Sequence, residues 1–213
     1  MYQAILHESG PKLYFKMASA REVEVIQRLN HPSIAKYFTP PLMWRDNDLG
    51  GEALLQVRVY KEDLCALLDR KEVVDSAFAE RVVESIWSAC EYMHRELGLR
   101  HGDVKLNNIC LDENDRAVLI DFDRSAELRD RSVMKRNTEY HHGSTEDGRC
   151  MERRDDLYAC IVVAIKLVRG ANHVVRTASH SQMFRGEDHV NDEWILRMSR
   201  EYNAEWARAY ENA

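Results

Sequence analysis

The stretch His101-Gly102-Asp103-Val104-Lys105-Leu106-Asn107-Asn108, followed by Asp121-Phe122-Asp123 beginning 13 positions after Asn108, decides how the rest of the chain is read. Both pieces adjoin regular structure. Upstream, Phe78, Val82, Val83, Ile86, Trp87, Cys90 and Met93 recur at helical spacing, and Gly98 is placed to close that helix. Between the two pieces, residues 109–111 and 117–120 read as strands joined by the polar run 112–116, a short hairpin.

Toward the start of the chain, residues 12–17 alternate after a Gly10-Pro11 turn, with Leu13, Phe15 and Met17 on one face and Lys12, Tyr14 and Lys16 on the other, which predicts a strand. Ser19 can cap a helix running to about Asn30, in which Glu22, Val25, Ile26 and Leu29 share one face. An acid on an apolar face needs a cation, and Lys16 is near enough to supply one; Glu24 points away and can be solvated. Residues 53–60 predict a second strand after the irregular run 39–51, and a short helix is expected near 63–68. The run 121–155 has little periodicity and much charge, and irregular segments of that length are usually functional or mobile. Residues 157–168 form an almost wholly apolar helix for the middle of a helical layer, and Trp194, Ile195, Met198, Tyr202 and Trp206 predict one or two more helices.

Composition sets the outer bounds. With 45% hydrophobic and 31% charged residues among 213, the chain excludes disorder and collagen-like repeats and suits one domain, or one split into two lobes. A net charge of -6 repels phosphate backbones, so nucleic acid is not expected as a partner. No run approaches the roughly 20 apolar residues of a membrane helix, and no apolar block follows a basic one at the start, so a soluble, cytoplasmic protein without a membrane partner is expected. Cys65, Cys90, Cys110, Cys150 and Cys160 are odd in number and widely spaced, matching neither a disulfide framework nor a CxxC zinc pair. His141, His142 and Cys150 lack a fourth zinc ligand and read as loop, and the pairs Lys135-Arg136 and Arg153-Arg154 read as solvated.

The HxDxKxxN pattern followed by an Asp-Phe pair resembles the protein-kinase superfamily. The likeness extends over roughly residues 12–170: the run Glu22 to Pro32 resembles the helix that carries an ion-paired Glu, and Asp156-Leu157-Tyr158-Ala159 resembles the start of the buried helix that anchors the catalytic loop. The resemblance implies an α+β, protein-kinase-like bilobal fold in one domain, with a reduced antiparallel β N-lobe over 1–60 and a trimmed, mainly α-helical C-lobe over 61–213. It implies phosphoryl transfer from ATP with Mg2+, or Mn2+, in which Asp103 accepts or orients the acceptor's proton and Lys105 offsets charge on the transferred group. Asn108 and Asp121 would hold the metal, and Lys16, paired with Glu22, would hold the α and β phosphates. Asp156 would tie down loop backbone and His101 would serve as a structural hydrogen-bonder.

The departures are equally specific. Ahead of Lys16 only Gly10 is available, so the glycine-rich phosphate loop is missing, and Tyr14 stands where a small residue usually covers the adenine. Gly102 replaces the Arg between His and Asp that reads a phosphate on the activation segment, so activation by phosphorylation of that segment is not expected. Asp123 replaces the Gly of Asp-Phe-Gly, and Gly143-Ser144-Thr145 stands where Ala-Pro-Glu would close the segment. Asn137-Thr138-Glu139-Tyr140, with Lys105, favours a Ser or Thr acceptor on a protein substrate. Two alternatives stay open: a pseudokinase that docks on a partner kinase or other signalling protein, and a small-molecule kinase of the aminoglycoside or choline type, which His-Gly-Asp and Asp-Phe-Asp also resemble.

Overall fold

Alternation from Leu13 onward builds one of the two inner strands of a four-stranded antiparallel sheet in the computed structural model, which describes residues 2–4, 13–37, 42–44, 52–71, 73–130, 140, 153–173, 175 and 192–211. The sheet contains β1 (Tyr2–Ala4), β2 (Leu13–Ser19), β3 (Leu42–Trp44) and β4 (Glu52–Arg58) in the order β1-β2-β4-β3. Helix α1 (Ala20–Arg28) leaves β2 directly, because the Ser19 side chain accepts a bond of 3.1 Å from Glu22 N and satisfies one of the unpaired amides of the first turn. The alternation expected for β2 is kept. Lys16 pairs with Leu55, which is buried, and Lys16 and Ala18 lie on the side that carries α1. Met17 is exposed, because only one face of the sheet carries α1. Strands β1 and β3 were not expected: each has three residues, too few to display a period of two.

The chain then crosses into a helical body through β5 (Glu62–Asp63), α2 (Leu64–Lys71) and α3 (Ser76–Glu96). Asp75 caps α3 by accepting from Phe78 N at 2.9 Å, and Gly98, at φ +65°, turns the chain out of it as expected. Then come β6 (Leu99–Arg100), a 3₁₀ turn at Leu106–Asn108, the hairpin β7 (Ile109–Leu111) and β8 (Ala117–Leu119), and β9 (Ala126–Glu127), which pairs antiparallel with β6. The hairpin is docked to the segment after α1 by Ala35 N to Leu119 O and Leu119 N to Ser33 O, both 2.9 Å, beside a turn closed by Ile34 N to His31 O at 3.1 Å.

Helix α4 (Arg153–Arg169) is buried on all sides from Asp155 to Leu167 and packs against α3 and against α5 (Glu193–Glu211). Its last turn closes over Lys166, whose ammonium donates to Ala171 O at 2.6 Å and His173 O at 3.0 Å, a cation placed where a helix exposes unpaired carbonyls. Cys65, Cys90, Cys110 and Cys160 are free thiols, and burial pushes Cys110 up to about 12, so it carries no thiolate at neutral pH. Among the described residues no helix is long and apolar enough to cross a membrane. His141, His142, Cys150, Lys135-Arg136, Gly143-Ser144-Thr145 and Asn137 to Glu139 lie outside the described residues, as does the Tyr14 side chain.

Because the Ser19 cap also sets where Glu22 enters the structure, Ser19→Ala is expected to lower stability by about 1 kcal/mol. Urea unfolding of the two proteins measures it, and an unchanged midpoint would remove the cap from the account.

Candidate active site

The loop that follows β6 hangs from one buried carboxylate. Asp156 Oδ2 accepts from His101 N at 2.8 Å and Oδ1 accepts from Gly102 N at 2.8 Å. His94 Nε2 donates to Oδ2, also at 2.8 Å, from the buried face of α3. Burial alone would push Asp156 up, but these donors, with the nearby imidazoles, outweigh it and hold the carboxyl below its ordinary value. His94 went unnoticed in the sequence, although it stands four residues after Cys90 on the apolar stripe, a position where a histidine signals a buried partner.

His101 aligns the next residue. Its Nε2 meets the Ile120 carbonyl at 3.0 Å and its Nδ1 meets Asp103 N at 3.2 Å. A carbonyl only accepts and an amide only donates, so the imidazole is the neutral Nε2–H tautomer. Burial lowers His101 below its ordinary 6.5. Phe122 packs edge-on against the ring at 5.1 Å between centroids and is itself fully buried. Gly102 takes φ +80°, and a Cβ there would lie 2.8 Å from the Arg124 carbonyl oxygen, so the loop excludes any larger residue at that position.

Three of the expected site residues meet directly. Lys105 Nζ is 2.7 Å from Asp103 Oδ2, and the Asn108 amide donates to Asp103 O at 2.9 Å and to Oδ2 at 3.1 Å. The Asn108 nitrogen is thus turned toward Asp103, which leaves its Oδ1 without a hydrogen bond among the described residues. Ile120 N donates to Asn108 O at 2.9 Å, so the hairpin returns Asp121 beside Asn108. Asp121 itself occupies the left-handed region at φ +64°, while Asp123 does not. The turn therefore places its unusual conformation on the first acid, not on the position where a glycine was expected.

Lys16 joins this group to the sheet. Its ammonium lies 2.7 Å from Glu22 Oε1 and is also ion-paired with Asp121 Oδ1. Burial opposes the Lys16 charge, but the hydrogen bonds to Asp121 and Glu22 outweigh it and raise its pKa; burial pushes Glu22 up more than Lys16 draws it down. Six positions suffice for the pair because α1 begins without a linker after β2.

Asn108 Oδ1 and the Asp121 carboxylate are hard oxygen donors on neighbouring ends of one hairpin and suit Mg2+. Among the described residues no group of three His, Cys, Asp or Glu could hold a metal alone. Such an ion would complete its shell with phosphate oxygens and water.

Several contributors were invisible in the sequence. Arg100 is fully buried, Ser125 Oγ donates to His101 O at 3.1 Å, and Arg21 and Arg28 reach from α1 to the segment after Phe122. None has a spacing signal, since each partner is remote in the chain. Tyr140 packs beneath the Lys166 ammonium, 6.0 Å from the ring centre.

A sheet lysine paired with a glutamate of α1 thus stands beside an Asp, Lys, Asn and Asp set, the order of groups expected of a kinase-like domain. The sequence model of the protein kinase domain matches residues 6–211, and the chain belongs to that family, which in general uses ATP and a divalent metal. It is 30% identical over 145 residues to serine/threonine-protein kinase RUNKEL of Arabidopsis thaliana, covering 65% of this chain and 10% of that protein. It is 28% identical over 191 residues to serine/threonine-protein kinase 1 of Orgyia pseudotsugata multicapsid polyhedrosis virus, covering 87% and 63%. A third relative, mitogen-activated protein kinase kinase kinase 18 of Arabidopsis thaliana, is 27% identical over 131 residues, covering 56% and 39%. The chain spans less than two thirds of the length of each.

The neutral state of His101 makes the fold acid-sensitive. The unfolded chain takes up a proton near pH 6.5 that the folded loop refuses, so the contribution is complete above 6.5 and is lost as pH falls below it. His31, also lowered by burial, acts with the same sign. Urea unfolding between pH 8 and 5 should lose at most about 1.36 kcal/mol per pH unit from His101 and less from the more exposed His31, and His31→Gln should leave the His101 share in place. A flat profile in that variant would contradict the neutral tautomer.

Proposed function

We propose that the chain transfers the γ-phosphoryl group of ATP to a Ser or Thr hydroxyl of a protein substrate. The observation that carries this reading is the Asp103 carboxylate, drawn into place by Lys105 and Asn108 on its Oδ2. The acceptor oxygen would bond to phosphorus as the bond to the ADP oxygen breaks, with the acceptor proton passing to Asp103. Lys105 balances the charge that builds on the phosphoryl oxygens, and Lys16, steadied by Glu22, binds the α and β phosphates. Asn108 and Asp121 would hold magnesium, which when bound supplies positive charge beside the phosphates. The Ser/Thr class is supported by the names of the relatives and by Lys105 two residues after Asp103.

One observation favours a second reading. Lys16 sits directly on Asp121, so the cleft neutralises its own acid without a metal, as a nucleotide-free binding module would. Saturating Mg-ATP, at 100 times its dissociation constant, would raise the melting temperature by about 5–10 °C.

Asp103→Ala should keep that shift and lose roughly 10² to 10⁴ in transfer rate to a mixed Ser/Thr protein substrate. Lys16→Met should lose most of the shift. Wild-type turnover with proteins absent but with aminoglycoside or choline present would move the acceptor to small molecules, and no shift at millimolar Mg-ATP would favour the binding module.

A further inference from the structure

Three arginines grip one short segment, and they do so on the same two residues. Arg100 has no exposed surface; it donates from Nη1 to the Glu127 carbonyl at 2.6 Å and from Nη2 to the Asp130 carbonyl at 2.8 Å. The side chains of those residues face α1: the Glu127 carboxylate lies 2.5 Å from Arg28, and Asp130 is ion-paired with Arg21. Arg28 also donates to Leu97 O at 2.6 Å, fastening the end of α1 to the end of α3. Arg21 and Arg28 are seven positions apart, two helical turns, and therefore share a face. Glu22, beside Arg21, holds Lys16. The segment is independently tied down by β6–β9 pairing and by Leu128 N to Gly98 O at 2.8 Å.

We propose that Arg100 is a positioning residue for Lys16. It fixes the backbone at Glu127 and Asp130, their carboxylates hold Arg28 and Arg21 of α1, and α1 keeps Glu22 against Lys16 with no phosphate group on the segment. Gly102, where a cation would otherwise stand, cannot carry one, because its Cβ would meet the Arg124 carbonyl. The cation is supplied two residues earlier, from inside the structure. The catalytic consequence rests on the phosphotransferase reading; the mechanical linkage does not.

The strength of the links is unequal. Arg21 and Arg28 are partly exposed, so each pair is worth roughly 1.4- to 5-fold in the population of the docked helix. The buried guanidinium makes charge-assisted bonds to carbonyls, each worth roughly 10- to 150-fold.

Hydrogen–deuterium exchange of the α1 amides tests the linkage in the full chain, confirmed unphosphorylated by intact mass. In the double variant Arg21→Gln/Arg28→Gln these amides should exchange about 2-fold to about 25-fold faster, with α3 and α4 unchanged. The charge swap Arg28→Glu/Glu127→Arg should exchange more slowly than Arg28→Glu alone, a rescue that mere loss of bulk would not give, although it cannot remake the bond to Leu97 O. Arg100→Lys keeps the charge but cannot span both carbonyls, so it should accelerate exchange at both Leu128 and α1 and raise the KM for ATP more than it lowers kcat. If α1 exchange is unmoved in the double variant, or moves in Arg100→Lys without Leu128, the linkage is wrong. Stimulation of wild-type transfer by more than tenfold on phosphorylating the segment would also overturn it. An intact exchange pattern with no transfer in any variant would instead remove the phosphotransferase reading and leave the linkage standing.

Discussion

The site depends on a carboxylate that ought to be costly. Asp156 lies in a helix buried on every side, where an unpaired charge would be heavily penalised, yet it stays ionised because three donors converge on it. Two of those donors are consecutive backbone amides of the loop that carries Asp103, so the energy that keeps Asp156 charged is the energy that holds the loop. Since α4 is locked by packing, the loop inherits the rigidity of the core and not the mobility of a surface connection.

From that anchor the geometry passes outward in short steps. His101 is held by Asp156 through its amide, and its ring sets the amide of Asp103 and the carbonyl of Ile120. The same peptide link leads into Asp121, whose left-handed backbone turns its carboxylate toward Lys16. The sheet above and the helices below therefore meet through one ammonium group shared by two acids. Preorganisation of this kind matters for phosphoryl transfer, where positioning and electrostatics supply nearly all that a protein contributes.

Legibility in the sequence followed the range of the interaction. The hairpin, the Ser19 cap, the buried helix at 157–168 and the Lys16–Glu22 contact are set by neighbours within a few residues, and periodicity exposes them. The alternation of β2 was legible but the face that carries α1 was not, because alternation shows that two faces differ and not which one a helix will cover. Strands β1 and β3 escaped because a three-residue strand is defined by its partner's hydrogen bonds. That Asp121 takes positive φ was not legible for a similar reason: only the closed turn shows which residue adopts it.

The sequence by itself determined the residue types on offer, an Asp, a Lys, an Asn and a second Asp around a hairpin, and it was their resemblance to the kinase pattern that implied a shared site. Only the tertiary structure decided what holds them. Asp156 is more than fifty positions from His101 and Gly102, Asp121 is 105 from Lys16, and Arg21 is 109 from Asp130. Contacts closed over such distances leave no local pattern, because they depend on how whole elements pack and not on what any residue has for a neighbour in the chain.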